Sequence, residues 1–208
     1  PQLRPMPAAL TGEAWLATRA VEELQSPDAR PYFGFVSFVT PHPPIAPPVP
    51  YNRMFNPDDM PDPVLGDPAV DTADDYLGWM NHAVWAGDIP PSQARRLRAR
   101  YLGSIAFIDD CIGQIIDAVE ARPDADNTLI CFFSDHGDHM GDHRAWQKES
   151  FFEASCRVPM LVSWPGHLAP NTRFTGLAAL TDLFGLATTV SGTPELRDGH
   201  DLLNTLRG

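Results

Sequence analysis

Aspartate and histidine are concentrated in residues 134–143, which read SDHGDHMGDH. Asp135 and His136 place a carboxylate oxygen beside an imidazole nitrogen, and such a pair supplies two ligands of a divalent metal ion. Lys148 follows shortly afterwards, and His42 lies in a separate segment that reads TPHPP. Two interpretations stay open on these residues alone. They form half of a metal site, or Asp135 caps a helix and the other side chains are polar surface and packing residues.

Each polar segment follows an apolar run that is typical of a buried strand. Residues 32–39 (YFGFVSFV) precede His42, residues 128–133 (TLICFF) precede Asp135, and a third run covers residues 159–164 (PMLVSW). Apolar strands separated by helices indicate a mainly parallel sheet covered on both faces, so we predict an α/β fold. Ligands bind beyond the carboxyl ends of the strands in such sheets. We therefore expect the two polar segments to meet at that edge.

Three helices are predicted around these strands. Thr11 caps a helix over residues 11–25, and another helix covers residues 181–191. Pro90 and Pro91 with Ser92 mark the start of the longest helix, and Pro123 marks its end. Its apolar residues recur every three or four positions and form one stripe: Leu97, Tyr101, Ile105, Ile108, Ile112, Ile115 and Val119.

Prolines are concentrated between the first strand and the long helix. Of the 22 prolines in the chain, ten fall within residues 41–68. Proline excludes regular helix and central strand, so this stretch is a loop. Because Tyr51, Phe55 and Met60 lie among the prolines, we expect an ordered loop that packs against the body rather than a disordered linker.

The composition limits the classes of partner. The chain has 27 acidic and 15 basic residues, a net charge of −12, and such a surface repels phosphate backbones and anionic lipid. We expect no nucleic-acid partner and no membrane partner, and we find no targeting segment, which leaves the compartment open. Cys111, Cys131 and Cys156 are interpreted as small buried residues, although one disulfide would be possible.

Five segments resemble, in order, the motifs of the sulfatase family within the alkaline phosphatase superfamily. They cover about residues 30–207 and include both polar segments. The segments are Pro41-His42-Pro43, residues 101–113 (YLGSIAFIDDCIG), residues 127–148 (NTLICFFSDHGDHMGDHRAWQK), Arg157-Val158-Pro159 with Trp164-Pro165-Gly166, and residues 198–203 (DGHDLL). The resemblance implies an alkaline-phosphatase-like α/β fold and a metal-dependent hydrolase of sulfuric esters.

The resemblance also implies roles for individual residues. Asp135 and His136 match the metal-ligand pair of the family, Lys148 matches the lysine that holds the sulfate oxygens, and His42 matches the histidine on the leaving-group side. A metal ion and a fixed ammonium would stabilise the charge that develops on the transferring group. His143 is an additional candidate site residue. Calcium is the usual ion of the family, with manganese or magnesium as alternatives, since an imidazole ligand suits calcium less well.

The nucleophile of the family is missing from this chain. Sulfatases of this type use a formylglycine made from an N-terminal C-x-P-x-R or S-x-P-x-R motif, and none of the three cysteines begins one. We therefore expect residues 1–208 to be the latter part of one catalytic domain, without its N-terminal third and C-terminal subdomain, and to be inactive alone. Because strands without neighbours leave exposed edges, self-association is a further expectation.

Two other functions stay open. Phosphonate monoester and phosphodiester hydrolases of the same superfamily share these motifs, because tetrahedral sulfate and phosphonate esters look alike to this set of residues. A non-catalytic remnant that keeps the fold is the second alternative. The expected partner of an active protein is a small-molecule or glycan sulfate ester.

Overall fold

The computed structural model describes residues 6–28, 30–65, 89–195 and 198–207. The chain divides into two compact units, residues 1–122 with 136–157 and residues 123–135 with 158–208. Within the described ranges, no helix combines the length and the apolar composition that crossing a bilayer requires.

The first unit is mainly helical. Its two long helices are α1 (Gly12–Leu24) and α2 (Pro91–Glu120), which confirm two of the predicted helices. A single helical turn, α3, covers Glu153–Cys156. Short 3-10 turns cover Ala8–Leu10, Tyr51–Arg53, Pro57–Asp59 and Asp142–Arg144.

The start of α1 follows from its sequence. Thr11 has an extended backbone, and its Oγ1 accepts a hydrogen bond from the Ala14 backbone N–H at 3.1 Å. Such a cap satisfies one of the amide groups that the first helical turn leaves without a partner. Ala17 is fully buried where α1 packs against Phe107 and Cys111 of α2, and this contact forms one core of the unit.

The buried face of α2 is only partly the predicted stripe. Ile108 and Val119 are buried, but Ile105 is 42% exposed. Small residues outside the stripe complete the buried face: Ala94, Ala99, Gly103, Ser104, Cys111 and Ala118. Close approach explains the glycine, because a Cβ at Gly103 would lie 2.4 Å from the carbonyl oxygen of Tyr51.

The proline-rich loop packs against α2. Ile45 is buried in a second core that includes residues of α2. The hydroxyl of Tyr51 donates a hydrogen bond to the carboxylate of Asp110, on the exposed face of α2. This bond raises the pKa of Tyr51 to about 12. Residues 66–68 of the loop lie outside the described residues.

Residues 32–39 do not form the buried strand that their apolar pattern predicts. No strand is assigned to this described segment, and Phe33 and Val39 are 79% and 74% exposed. A strand needs backbone partners along its edge, and the described residues provide no ladder for it. The prediction is wrong here because an apolar run indicates a tendency to be buried and carries no information about the strand that would pair with it.

The second unit contains the remaining predicted strands and helix, which are β1 (Ile130–Phe133), β2 (Met160–Ser163) and α4 (Asp182–Val190). It also contains a short helix that was not predicted, α5 (Leu202–Arg207). The two strands pair antiparallel, with Ile130 opposite Ser163 and Phe133 opposite Met160. This pair therefore differs from the parallel arrangement expected, because an apolar run of four residues is compatible with either direction of pairing.

The start of α4 is fixed by a buried carboxylate. Asp182 is 1% exposed and accepts hydrogen bonds from the backbone N–H groups of Ala179 and His200, at 2.8 and 2.7 Å. The chain approaches closely here, since a Cβ at Gly199 would lie 2.3 Å from the carbonyl oxygen of Thr181. The position of Gly199, shortly before α5, therefore has no space for a side chain.

The three cysteines are free thiols with different exposure. Cys111 is buried as predicted, and Cys131 is partly buried within β1. Cys156 is exposed, so the prediction is wrong for this residue. Cys156 is the last residue of α3, and a helix of one turn is too short to bury all of its own side chains.

Candidate active site

The polar segment that begins at His136 folds back on itself. The backbone N–H of His139 donates to the carbonyl of Gln147 at 2.8 Å. The Oδ1 of Asp138 accepts hydrogen bonds from the N–H groups of Met140 and Gln147, at 2.9 and 3.1 Å. Asp138 and His139 thus contact Gln147 through both its N–H and its carbonyl, which closes the segment into a loop.

Several residues of this loop have a left-handed backbone, with φ between 48° and 96°: Met140, Gly141, His143, Arg144 and Gln147. Side chains disfavour this conformation, and it persists only where the surroundings impose it. Arg98 of α2 supplies part of that constraint, because its Nε donates to the carbonyl of Met140 at 3.0 Å. The same guanidinium forms an ion pair with Asp142, and the two side chains are only 14% and 29% exposed.

Gly137 brings α3 close to this loop. Its N–H donates to the carbonyl of Ser155 at 2.7 Å. A Cβ at Gly137 would lie 2.0 Å from the carbonyl oxygen of Ala154, which leaves no space for a side chain. The glycine next to His136 is therefore required by the close approach of another backbone.

His42 and His136 lie side by side. Their ring centroids are 6.2 Å apart, and the planes meet at 70°. The Nδ1 of His42 lies 2.9 Å from the carbonyl oxygen of Pro43, and the Nδ1 of His136 lies 2.7 Å from that of Gly137. Because a carbonyl only accepts, each Nδ1 donates to it and carries a proton. A hydrogen bond from one ring nitrogen to a backbone carbonyl is common among metal-binding histidines, which bind the metal through the other nitrogen.

Lys148 lies in the same loop as His136 and is partly buried. Its carbonyl accepts hydrogen bonds from the N–H of Ser150, at 2.7 Å, and from the hydroxyl of Ser155. The structure therefore brings His42 and His136 together and holds the backbone of Lys148 within the loop that follows them.

Asp135 is exposed and is the last residue of its segment in the second unit, two residues after β1. Its carboxylate and the Nε2 of His136, which follows it in the chain, suit a divalent metal ion as donors. Among the described residues, no three Asp, Glu, His or Cys side chains gather as a metal site. Two donors are too few for calcium, which takes six to eight oxygen ligands and would need several more.

His139 is a buried histidine whose contacts the sequence did not reveal. It is 1% exposed, and its Nε2 lies 2.6 Å from the Oγ of Ser150. Burial lowers the pKa of His139, as does the nearby His143, whereas the carboxylates of Asp138 and Asp142 oppose this shift. The imidazole is therefore neutral at neutral pH.

The predicted additional site residue, His143, stacks on an aromatic ring. Its centroid lies 4.0 Å from that of Phe152, with the planes 5° apart. The ring of His139 meets the same phenyl ring edge-on at 5.7 Å. Phe152 thus separates two histidines of the loop, and no short-range sequence pattern indicates this arrangement.

A family comparison identifies the family to which these motifs belong. The family model for sulfatases matches residues 13–193. The chain belongs to the sulfatase family. The fold class predicted from the motifs is confirmed, and members of this family generally use a divalent metal ion.

Known sulfatases resemble the chain over most of its length. An arylsulfatase of Clostridium perfringens is 37% identical over 155 residues, which cover 74% of this chain and 32% of that protein. The iduronate 2-sulfatase of Mus musculus is 32% identical over 168 residues, or 74% of this chain and 30% of that protein. This sulfatase-family chain therefore spans about a third of the length of the curated relatives it matches.

A solved structure of another enzyme in the superfamily is also similar. The crystal structure of the phosphonate monoester hydrolase of Agrobacterium radiobacter superposes with a TM-score of 0.88 at 30% identity. The match covers 100% of this chain and 46% of that chain. This similarity supports the alkaline-phosphatase-like fold of the sulfatase-family chain.

Proposed function

We propose that this chain supplies part of the active site of a sulfuric ester hydrolase. The observation that carries the proposal is the pair formed by His42 and His136, with ring centroids 6.2 Å apart and each Nδ1 against a backbone carbonyl. Lys148 lies in the loop that continues from His136, and the chain belongs to the sulfatase family. An ammonium and a metal ion bound in part by His136 would suit a transferring group that carries negative charge on several oxygens.

Lys148 and His42 have different roles in this proposal. The ammonium of Lys148 holds the sulfuryl oxygens and stabilises the negative charge that develops on them. His42 lies beside the bridging oxygen and offsets charge on the departing alcohol, with proton transfer at its Nε2. Since Nδ1 donates to the carbonyl of Pro43, the transferred proton is one that Nε2 takes up from solvent, and its transfer to the alkoxide oxygen leaves the ring neutral.

Asp135 and His136 would hold the divalent metal ion. When bound, such an ion acts as a Lewis acid toward an ester oxygen. The hydrogen bond from Nδ1 of His136 to the carbonyl of Gly137 orients the ring for that role. We propose calcium, the usual ion of the family, and keep manganese or magnesium as alternatives; of these two, manganese accepts the imidazole ligand more readily.

We propose that the chain is the latter part of one catalytic domain and that the formylglycine nucleophile belongs to an N-terminal part of the full-length protein. The chain spans about a third of its curated relatives, which supports this division. The substrate we propose is a small-molecule or glycan sulfate ester.

Activity on phosphonate monoesters is the second candidate function. The phosphonate monoester hydrolase of Agrobacterium radiobacter superposes on the whole of this chain with a TM-score of 0.88. Comparing kcat/KM of the full-length protein for 4-nitrophenyl sulfate and for a phenyl phosphonate ester distinguishes the two functions. A larger value for the phosphonate ester would replace the first candidate with the second.

Variants of the full-length protein test the residue roles. We expect Asp135→Asn to lower metal content and kcat/KM together, and Lys148→Ala to lower kcat/KM while the metal is retained. Asp126→Asn, at an exposed 3-10 turn, is the matched control and should change neither. Equal loss of metal in the Asp135 and Lys148 variants would contradict the assignment.

The leaving group tests His42 separately. We expect His42→Ala to lower kcat/KM more for esters of weakly acidic alcohols than for 4-nitrophenyl sulfate, because only a poor leaving group needs its charge offset. A loss independent of the leaving group would exclude this role for His42.

A further inference from the structure

His139 lies close to Lys148 along the folded loop, although the proposed function does not use it. Its Nε2 lies 2.6 Å from the Oγ of Ser150, two residues after Lys148. Its backbone N–H donates to the carbonyl of Gln147, one residue before Lys148, at 2.8 Å. One buried residue therefore contacts the chain on both sides of the lysine.

Ser150 connects this contact to the backbone of Lys148. The N–H of Ser150 donates to the carbonyl of Lys148 at 2.7 Å, and its Oγ accepts from the N–H of Phe152 at 3.2 Å. A lysine side chain is long and flexible, so the volume that its ammonium reaches depends on how firmly its backbone is held. Three hydrogen bonds around Ser150 restrict that backbone.

The environment of His139 suits a fixed contact. The residue is 1% exposed, and the edge of Phe152 packs against its ring. Burial keeps the imidazole neutral, so its contact with a hydroxyl buries no charge. Its Nδ1 has no hydrogen-bond partner among the described residues, which leaves Ser150 as the side chain that orients the ring within this part of the chain.

We propose that His139 is a positioning residue that, through Ser150, fixes the backbone of Lys148 and so holds its ammonium against the oxygens of the ester. This inference rests on the proposed function of Lys148. It assigns no contact with the substrate to His139 itself.

A double-mutant cycle in the full-length protein tests the coupling. We expect Ser150→Ala and His139→Leu each to lower kcat/KM on the order of tenfold, the effect of one lost hydrogen bond to a site residue. In the Lys148→Ala background, each should lower it by less than about twofold, since residues that act through one group are not additive. His139→Gln keeps an amide that can donate to or accept from the hydroxyl of Ser150 and should recover activity relative to His139→Leu.

Two controls separate positioning from general loss of stability. Ser191→Ala removes an exposed hydroxyl that donates to a backbone carbonyl in the second unit, and it should leave kcat/KM unchanged. Urea unfolding of every variant shows whether the folded fraction is the same. Equal losses for Ser150→Ala with and without Lys148 would overturn the proposal.

A direct measurement follows the amine of Lys148, the only lysine within residues 1–208. Reductive methylation of the full-length protein with ¹³C-formaldehyde labels this amine with the others, and the Lys148 signal is identified by its loss in Lys148→Arg. We expect Ser150→Ala and His139→Leu to move this signal toward that of the unfolded chain, and Ser191→Ala to leave it in place. An unchanged signal in the first two variants would overturn the proposal.

The two measurements also separate failure of this inference from failure of the proposed function. If Lys148→Ala has no effect on kcat/KM while the ¹³C signal responds to Ser150→Ala, the role of the lysine is wrong and the positioning contact stands. If Lys148→Ala lowers kcat/KM while the ¹³C signal is unchanged in Ser150→Ala, the positioning role of His139 is wrong and the proposed function of Lys148 stands.

Discussion

Replacing Gly103 with alanine tests the contact that holds the proline-rich loop on α2. Gly103 is buried in the middle of the helix, and a Cβ there would lie 2.4 Å from the carbonyl oxygen of Tyr51 and 3.2 Å from its carbonyl carbon. Both atoms belong to backbone, so the clash cannot be relieved by rotating a side chain. Gly113, in the same helix, has no atom within 4 Å of its Cβ position and provides the matched control.

The magnitude follows from two opposing effects. Alanine in a helix interior is favoured over glycine by roughly 0.5–1 kcal/mol, and Gly113→Ala should gain that amount. Gly103→Ala gains the same amount and loses about 1–3 kcal/mol through overpacking. Because the helical propensity cancels between the two variants, their difference in free energy of unfolding should be about 1–3 kcal/mol. For a chain of this size, each kcal/mol corresponds to roughly 2–4 °C in Tm.

Urea unfolding, followed by circular dichroism, measures the two midpoints and slopes. We expect the Gly103→Ala midpoint to lie below that of the wild type and the Gly113→Ala midpoint to lie above it. If Gly103→Ala is stabilised as much as Gly113→Ala, the backbone of Tyr51 does not approach α2, and the described packing of the loop that carries His42 is wrong.

Three further predictions concern charge, pH and thiol reactivity. Arg98→Ala leaves the partly buried carboxylate of Asp142 without its cation and should lower the free energy of unfolding by about 1–3 kcal/mol. Arg19→Ala, whose ion pair is half exposed, should change it by less than about 0.5 kcal/mol in the same urea assay. Similar losses in the two variants would contradict the burial of the Arg98–Asp142 pair. Burial lowers the pKa of His139 from its usual value of 6.5, so the unfolded chain binds the proton first as the pH falls. The free energy of unfolding should therefore decrease below about pH 6.5, and a slope that survives in His139→Leu would assign it to another group. Cys156 is exposed and should react with DTNB in the folded protein. Cys111 is buried, and burial raises its pKa, so it should react only on unfolding. Rapid reaction of both thiols would show that α1 and α2 separate.

The helices could be predicted from the sequence because their signals are local. Thr11 caps α1 through a residue three positions away, and Pro91 marks the first turn of α2. The segment at residues 32–39 shows the limit of such signals. Its run of aromatic and β-branched residues resembles a buried strand, but a strand forms only with a partner that the pattern does not specify. The antiparallel pairing of β1 and β2 could not be predicted either, because an apolar run does not specify its partner strand.

The candidate site was predictable only in part. The motif resemblance located His42, His136 and Lys148, and the first two lie together in the structure. The contact between His139 and Ser150 spans eleven positions and depends on a chain that turns several times through left-handed backbone. No periodicity describes such a loop, so its internal hydrogen bonds could be found only from coordinates.

The helix α2 supports both polar segments. Gly103 admits the backbone of the loop that carries His42, and Arg98 holds the loop that carries His136. These two residues lie five positions apart in one helix, so α2 contacts both segments that carry the imidazoles. Changes at these two positions of α2 should therefore alter the approach of His42 to His136 even when both histidines are intact. The helix α2 thus acts on the candidate site through the two loops that it supports. This support requires a small residue at Gly103 and a long cationic side chain at Arg98.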